Sequence, residues 1–266
     1  MNPRLKTQIR RLKLGEQSFE VFDDEMSRNY DDLTPVSRIL EKLPINENPV
    51  VFDVGANIGI TALVFSTQFG DGCRVIAFEP HPLNYERLKK NVELDPDVGS
   101  RIETFSFGLS DRRERCHLSI PTSEQHPRYD PTHNQINSGL YSVKGKGSER
   151  FECELITLDE FVSSHAIPRI DFIKIDVEGV EFEVLLGGES TIGQHRPSML
   201  LEYNDLTRAL SNYPFESYLS FFARYGYDVF GLPRDWHVEM SAVKGPDDIS
   251  GVHDLVCLPR EELFRS

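Results

Sequence analysis

The segment at residues 51–61, which reads VFDVGANIGIT, constrains the fold of this chain more than any other feature. Asp53 interrupts a short apolar run, a turn containing Gly55 and Gly59 follows, and apolar residues then recur from Ile58 onward at helical spacing. Glycine at these two positions permits a positive φ and a close approach of a ligand to the backbone. A strand that passes through such a turn into a helix is typical of α/β sheets that bind ligands at the carboxyl ends of their strands.

The same alternation of strand and helix patterns continues along most of the chain. Because strand–helix–strand units cross over with one hand and cover both faces of a parallel sheet, the alternation predicts an α/β fold. We expect a Rossmann-like domain over residues 49–266, with a seven-stranded, mostly parallel sheet and helices on both faces. The seven expected strands lie at residues 49–54, 74–78, 102–107, 171–177, 198–202, 227–230 and 254–258.

Two segments depart from this rhythm. Residues 1–48 are polar and uneven, and we expect an N-terminal extension with one helix at residues 37–43 and a solvated, basic helix face at residues 6–13. Residues 121–150 are polar and rich in turn-forming residues, and they exceed the usual length of a connection. This insertion is interpreted as a lid or substrate loop, with a floppy insertion as the alternative.

A second acidic residue, Glu79, ends the next expected strand, 20 residues after Gly59. A carboxylate at that position can accept hydrogen bonds from both hydroxyls of a ribose. A dinucleotide site normally carries three glycines that admit a pyrophosphate, whereas here Asn57 replaces the middle glycine and Asp53 would repel phosphate. Asp53 suits the ammonium of a methionyl group instead. The pattern therefore favours S-adenosylmethionine over NAD, held by a turn formed of Gly55, Ala56, Asn57 and Gly59.

These motifs and several others resemble the FkbM family of methyltransferases. The resemblance spans about residues 49–205 and implies a class I methyltransferase fold that binds S-adenosylmethionine at residues 53–59 and at Glu79. It further implies methyl transfer to a hydroxyl, on polyketide-type or sugar-type acceptors. The matching segments are VFDVGANIG (51–59), FEPHPLNYERLKKNV (78–92), GLSD (108–111), TLDEF (157–161) and IDFIKIDVEGVEFEVLLG (170–187).

Charged residues in a strand that should be apolar point to the reacting groups. Lys174 and Asp176 stand two residues apart, hence on one face, and buried charges are expensive unless they are paired. Since a neutral hydroxyl attacks poorly without a base, we expect Asp176 to contact the methyl donor and acceptor, with Lys174 orienting it. Glu202 is expected as a second carboxylate and Glu178 as a substrate contact. The alternative interpretation is a buried ion pair that only holds strands together.

Weaker signals complete the expected site. Asn84 lies close enough in sequence to Glu79 to contact the ribose or adenine, and Ser110 and Asp111 follow the third expected strand, where adenine edges are often contacted. Turn chemistry is the alternative for the latter pair. Three residues of the insertion are expected to contact the acceptor: His133, Asn137 and Ser138.

The bulk properties exclude several classes of function. A net charge of −14 repels a phosphate backbone, so no nucleic acid partner is expected. No apolar run approaches the roughly 20 residues of a membrane span, and no signal core follows the N-terminus, so a cytoplasmic protein without a membrane partner is expected. The four cysteines show no paired spacing, and no metal is expected, although Asp176, Glu178 and Glu202 offer oxygen ligands.

The remaining expectations concern partners and rival functions. The expected partner is a small-molecule or glycan hydroxyl acceptor, and the expected state is a monomer or homodimer. N-methyl transfer, an NAD-dependent oxidoreductase and an inactive cofactor-binding protein stay open as alternatives.

Overall fold

The computed structural model describes residues 8–24, 27–30, 32–120, 122, 141–233 and 239–260. The strands within this part of the chain are β1 (Ile9–Leu14), β2 (Gln17–Phe22), β3 (Val50–Val54), β4 (Arg74–Phe78), β5 (Ile102–Phe105), β6 (Gly108–Leu109), β7 (Glu114–Leu118), β8 (Phe151–Ile156), β9 (Phe172–Ile175), β10 (Ser198–Glu202), β11 (Tyr227–Pro233), β12 (Ser241–Ala242) and β13 (Val252–Pro259). The α-helices in the same ranges are α1 (Thr34–Leu40), α2 (Ile60–Phe69), α3 (Pro82–Leu94), α4 (Pro96–Gly99), α5 (Leu158–Ser164), α6 (Glu181–Leu186), α7 (Glu189–His195), α8 (Asp205–Leu210) and α9 (Phe215–Arg224).

The main sheet of the described residues has eight strands in the order β12-β11-β13-β10-β9-β3-β4-β5. The strands from β10 to β5 run parallel to one another, whereas β13, β11 and β12 pair antiparallel. All seven strands expected from the sequence are present, and β12 is a two-residue addition at the edge. The prediction of a mostly parallel α/β sheet is therefore confirmed.

Alternate residues of the central strands feed two separate cores, one on each face of the sheet. Phe52 and Phe78 point into the core that α5, α6 and α9 cover. Val51 and Val75 point into the other, which α2, α3 and the N-terminal strands cover. This two-faced burial explains why the strands read as nearly continuous apolar runs, and why Asp53 and Lys174, on the α2 face, stand out in them.

The strand order reverses between β3 and β9. From β3 the chain winds outward through β4 and β5, and from β9 it winds the other way through β10. At such a reversal the flanking connections leave on opposite faces, so a crevice opens at the carboxyl ends of the two central strands. Asp53 at the end of β3 and Asp176 after β9 border this point.

The N-terminal segment is a β-hairpin, which corrects the expectation of a basic helix face at residues 6–13. In β1 and β2 alternate residues are buried against the α2 side of the sheet, and the basic side chains between them face outward. The alternation of apolar and charged residues in IRRLKL is that of a half-buried strand. The expected helix at residues 37–43 exists as α1, but it begins three residues earlier because Pro35 lies inside its first turn.

A second, three-stranded sheet in the order β6-β8-β7 flanks the insertion and was not expected. Its strands β7 and β8 pair antiparallel immediately before and after residues 121–150. His133, Asn137 and Ser138, which are predicted to contact the acceptor, lie outside the described residues. None of the helices in the described ranges is long and apolar enough to cross a membrane.

Candidate active site

A cavity of about 360 Å³ opens at the carboxyl ends of β3 and β9, where the strand order reverses. Its volume lies within the range of small-molecule sites. Residues from the glycine turn, from the end of β4, from the turn after β9 and from the end of β10 line it together. Eight polar residues of this lining lie in the sequence motifs or at positions predicted from the sequence: Asn57, Thr61, Glu79, Asn84, Lys174, Asp176, Glu178 and Glu202.

Gly55 brings the turn after β3 against the chain that follows β9. Its φ is +85°, and a Cβ atom at this position would lie 1.8 Å from the carbonyl oxygen of Asp176. The backbone N–H groups of Gly55 and Ala56 both donate to the carbonyl of Phe78, at 3.0 and 2.9 Å. Only glycine satisfies this geometry, and both Gly55 and Ala56 line the cavity as expected.

Asn57 and Gly59 complete the turn into α2. Asn57 adopts a φ of +52°, lines the cavity and donates its backbone N–H to Glu79 Oε2 at 2.8 Å. Gly59 precedes α2 with a φ of +90°, and a Cβ atom there would lie 2.5 Å from Leu88 Cδ1. Gly59 thus acts through helix–helix packing and lies outside the described lining, so its expected contact with a cofactor is not seen.

Glu79 has the geometry of a diol-binding carboxylate. Its two oxygens accept the backbone N–H groups of Asn57 and His81, both at 2.8 Å, which fixes the carboxylate against the cavity wall. Each oxygen keeps a further lone pair for a ligand hydroxyl. Burial raises the pKa of Glu79 to about 7, against the lowering effect of these two hydrogen bonds. The carboxylate and the glycine turn together fit the ribose of S-adenosylmethionine.

Asp53 contacts two residues that line the cavity. It is 0 % exposed and lies outside the described lining itself. Its Oδ2 accepts the hydroxyl of Thr61 at 2.6 Å, and its Oδ1 lies 3.5 Å from Lys174 Nζ. The register of the sheet pairs Asp53 with Lys174 directly across the two central strands. Its expected contact with the methionyl ammonium stays a prediction.

Lys174 and Asp176 form the ion pair that the sequence indicated. Lys174 Nζ lies 3.0 Å from Asp176 Oδ2, and Asp176 keeps 35 % of its side chain exposed. Burial lowers the pKa of Lys174, but the carboxylates of Asp176 and Asp53 outweigh it, so that pKa stands above its ordinary value. Lys174 therefore stays a charged ammonium that contacts Asp176 at the edge of the cavity.

Glu178 and Glu202 lie beside Asp176. One oxygen from each of the three carboxylates lies within 4.8 Å of the others, a spacing that a divalent cation could bridge. Asn204 donates its side-chain amide to Glu202 Oε1 at 2.6 Å. Burial, followed by the charge of Asp176, raises the pKa of both Glu178 and Glu202. This end of the cavity is thus rich in carboxyl groups and complements a positive charge.

Of the remaining residues predicted to bind the cofactor, one lines the cavity and two do not. Asn84 is buried and lines the cavity near Glu79, as expected. Ser110 and Asp111 lie outside the described lining, and their expected contact with adenine stays a prediction. The chain leaves the main sheet after β5 and forms β6, so Ser110 donates its N–H to Ile156 and Asp111 pairs with Arg112.

Four further polar residues of the lining were not predicted from the sequence. His81 caps α3 through Nδ1 and is buried between the rings of Tyr141 and Phe151, and burial lowers its pKa to about 4. Tyr141 follows the insertion, and Asn29 and Tyr30 come from the N-terminal extension. His81 was detectable as a helix cap after Glu79, but the other three reach the cavity only through tertiary packing.

The described geometry agrees with the comparisons to known proteins. Residues 53–229 match the model of the methyltransferase FkbM domain. Hexuronic acid methyltransferase AglP of Haloferax volcanii is 33 % identical over 141 residues, which cover 53 % of this chain and 50 % of AglP. The 31-O-demethyl-FK506 methyltransferase FkbM of Streptomyces tacrolimicus is 29 % identical over 180 residues, covering 60 % of this chain and 67 % of that protein. The chain thus spans half the length of AglP.

A solved structure supports the same fold. The crystal structure of methyltransferase FkbM from Methylobacillus flagellatus superposes with a TM-score of 0.51 at 17 % identity, covering 82 % of this chain and 45 % of that one. The family match extends over most of the chain and includes the glycine turn, Glu79, Asp176 and Glu202. On these grounds the chain belongs to the FkbM family of methyltransferases.

Proposed function

We propose that this chain is an S-adenosylmethionine-dependent O-methyltransferase that acts on a hydroxyl of a small molecule or glycan. The observation that carries the proposal is the position of Asp176. Its carboxylate is paired with Lys174 and lies in one cavity with the glycine turn and the diol-binding Glu79. The cofactor site and the proposed base thus line one cavity.

The residues present fit the cofactor. Glu79 would accept the two ribose hydroxyls, and the backbone at Gly55 lies where a side chain would collide with Asp176. The carboxyl groups of Asp176, Glu178 and Glu202 lie at the other end of the cavity and complement the positive charges of a sulfonium and an ammonium. When bound, S-adenosylmethionine supplies an electrophilic methyl group.

The chain's own groups would assist the transfer in two ways. Asp176 would accept the proton of the acceptor hydroxyl, so that the hydroxyl oxygen can take up the methyl group that S-adenosylmethionine supplies. Lys174 fixes the orientation of Asp176, because its ammonium lies 3.0 Å from Asp176 and 3.5 Å from the buried Asp53. A positioned base of this kind contributes about 10²–10⁴-fold to a rate.

The names of two relatives support a hydroxyl acceptor. NoeI of Sinorhizobium fredii, 28 % identical over 179 residues, is a 2-O-methyltransferase, and FkbM of Streptomyces tacrolimicus acts on 31-O-demethyl-FK506. An oxygen acceptor needs a base, which Asp176 provides. A monomeric or homodimeric state and the absence of a nucleic acid partner stay predictions.

Calorimetry with S-adenosylhomocysteine, S-adenosylmethionine and NAD tests the cofactor, and transfer of labelled methyl groups to a panel of sugar and polyketide alcohols tests the reaction. We expect a heat of binding with S-adenosylhomocysteine and with S-adenosylmethionine, and none with NAD. Asp176→Asn should lower methyl transfer by about 10²-fold or more, a much larger loss than any change in the affinity for S-adenosylhomocysteine. Asp228→Asn, which alters an exposed carboxylate paired with Arg260, is the matched control. Unaltered turnover in Asp176→Asn would overturn the assignment of the base.

A further inference from the structure

The N-terminal extension contributes a wall of the cavity. Asn29 and Tyr30 line the same enclosure as Lys174, Asp176 and Glu202. Both residues precede the family-matching region, which begins at residue 53. Tyr30 lines the cavity and keeps 37 % of its surface exposed. A residue outside the family domain therefore faces the groups proposed to carry the reaction.

The backbone that presents Tyr30 is firmly held. Arg87 of α3 forms an ion pair with Asp24 at 3.0 Å, and the guanidinium lies over the ring of Phe22. Ser27 is fully buried and exchanges hydrogen bonds with Asp24, and Tyr30 donates its N–H to the carbonyl of Ser27 at 3.1 Å. These contacts hold the segment that carries Tyr30 against α3.

The same extension is tied to the cofactor turn. Asn91 of α3 accepts the backbone N–H of Phe22 at 2.9 Å and donates to the carbonyl of Ile58 at 2.7 Å. One buried side chain therefore fixes the distance between β2 and the turn at residues 55–59. The hairpin that precedes Tyr30 is thereby tied to the turn that lines the cavity.

Tyr30 lies in the cavity that Asp176 and Glu202 also line. Burial raises the pKa of Tyr30, and the charges of Asp176 and Glu202 raise it further, whereas Lys174 lowers it. The phenol consequently stays protonated and remains a hydrogen-bond donor. Lys174 is already engaged by Asp53 and Asp176, so the phenol adds a further donor to this cavity.

We propose that Tyr30 binds the methyl acceptor, with its ring against one face of a sugar and its hydroxyl donating to a sugar oxygen beside Asp176. This inference rests on the proposed function and narrows its acceptor to a ring that carries several hydroxyls. Such an acceptor satisfies the carboxyl groups of Asp176, Glu178 and Glu202 with its own donors, and it offers apolar C–H faces to an aromatic ring. Tyr30 combines that flat surface with a polar tip.

The test compares Tyr30→Phe and Tyr30→Ala with the wild type, each saturated with S-adenosylhomocysteine. Methyl α-D-glucopyranoside is the probe, and its contact with the protein is measured by saturation-transfer NMR. We expect transfer to the sugar with the wild type, a reduced signal with Tyr30→Phe, and a loss of at least about tenfold in affinity with Tyr30→Ala. Tyr85→Phe is the control, since the Tyr85 hydroxyl contacts the carbonyl of Thr104 and Tyr85 is not among the described lining residues.

Calorimetry on the same samples separates the two proposals. Affinity for S-adenosylhomocysteine should stay within about twofold of wild type in both Tyr30 variants. A Tyr30→Ala protein that binds the cofactor product at least about tenfold more weakly would place the ring on the nucleoside and overturn the inference. An unchanged sugar signal in Tyr30→Ala, or no signal with the wild type, would also overturn it. Failure of every sample to bind S-adenosylhomocysteine would instead overturn the proposed function.

Discussion

Lys174 lies directly opposite Asp53 in the register between β9 and β3, with its ammonium nitrogen 3.5 Å from Asp53 Oδ1. The same ammonium lies 3.0 Å from Asp176, at the mouth of the cavity. One buried cation therefore serves a carboxylate of the core and a carboxylate of the site. The core pair thus holds in place the lysine that contacts Asp176, and the catalytic role of this charge cluster stays a proposal.

Replacing the shared cation should destabilise the protein. Lys174→Met leaves Asp53 buried without its charge partner, which typically costs about 3–5 kcal/mol of unfolding free energy. We expect a loss in this range by urea denaturation. Arg11→Met removes an exposed ion pair with Glu20 and should cost less than about 1 kcal/mol. Equal losses in the two variants would contradict the role of Lys174 in the core.

The close approach at Gly55 makes a sharper prediction than its positive φ alone. Gly55→Ala and Gly251→Ala both place a side chain on a backbone of positive φ, at +85° and +77°, which costs roughly 1–3 kcal/mol. Of the two, only Gly55 brings the new Cβ against backbone, whereas Gly251 has open space within 4 Å. Gly55→Ala should therefore unfold at a clearly lower urea concentration and should weaken S-adenosylhomocysteine binding. Similar midpoints for both variants would contradict this contact.

The proton on Glu79 should make stability depend on pH in an unusual direction. Burial raises its pKa from 4.5 to about 7, so the folded chain holds this proton more tightly than the unfolded chain. The resulting stability is present below the unfolded value and is lost as pH rises through 7. We expect Glu79→Gln to gain unfolding free energy relative to wild type between about pH 5 and about pH 8, measured by urea titration at each pH. A difference in unfolding free energy between Glu79→Gln and wild type that does not change over this pH range would contradict the raised pKa. Glu103→Gln, on the surface of β5, is the control, and its difference from wild type should not change over the range.

Metal removal should leave the reaction intact. The carboxyl groups of Asp176, Glu178 and Glu202 are close enough to share a cation, but the ammonium of Lys174 already neutralises part of their charge. We expect methyl transfer after dialysis against EDTA to match the untreated enzyme. Loss of activity that Mg²⁺ restores would show that the three carboxylates need a divalent ion.

The local parts of this site were predictable from the sequence. The glycine turn and Glu79 are recognisable because short-range spacing alone sets the strand–turn–helix unit. The pair of Lys174 and Asp176 stands out because charge is rare in a buried strand. These features depend on neighbours in the chain, and the structure places all of them where the spacing indicates.

The parts that depend on tertiary packing were not predictable. Whether Asp53 faces a ligand or a neighbouring strand is decided by the register of β3 against β9, which no local pattern encodes. Ser110 lies outside the described lining because the chain leaves the main sheet after β5 and builds a separate one. Tyr30 was missed because it reaches the cavity through contacts of α3 with a distant hairpin.

The position of β13 has a consequence for how the molecule is made. This strand follows β11 in the chain yet lies between β10 and β11, and its Asp254 pairs in register with Glu202. A growing chain on the ribosome must expose the edge of β10 until residues 252–259 have emerged. The sheet beside Glu202 is therefore complete only after β13 has been synthesised, and until then the open edge is a natural binding site for chaperones.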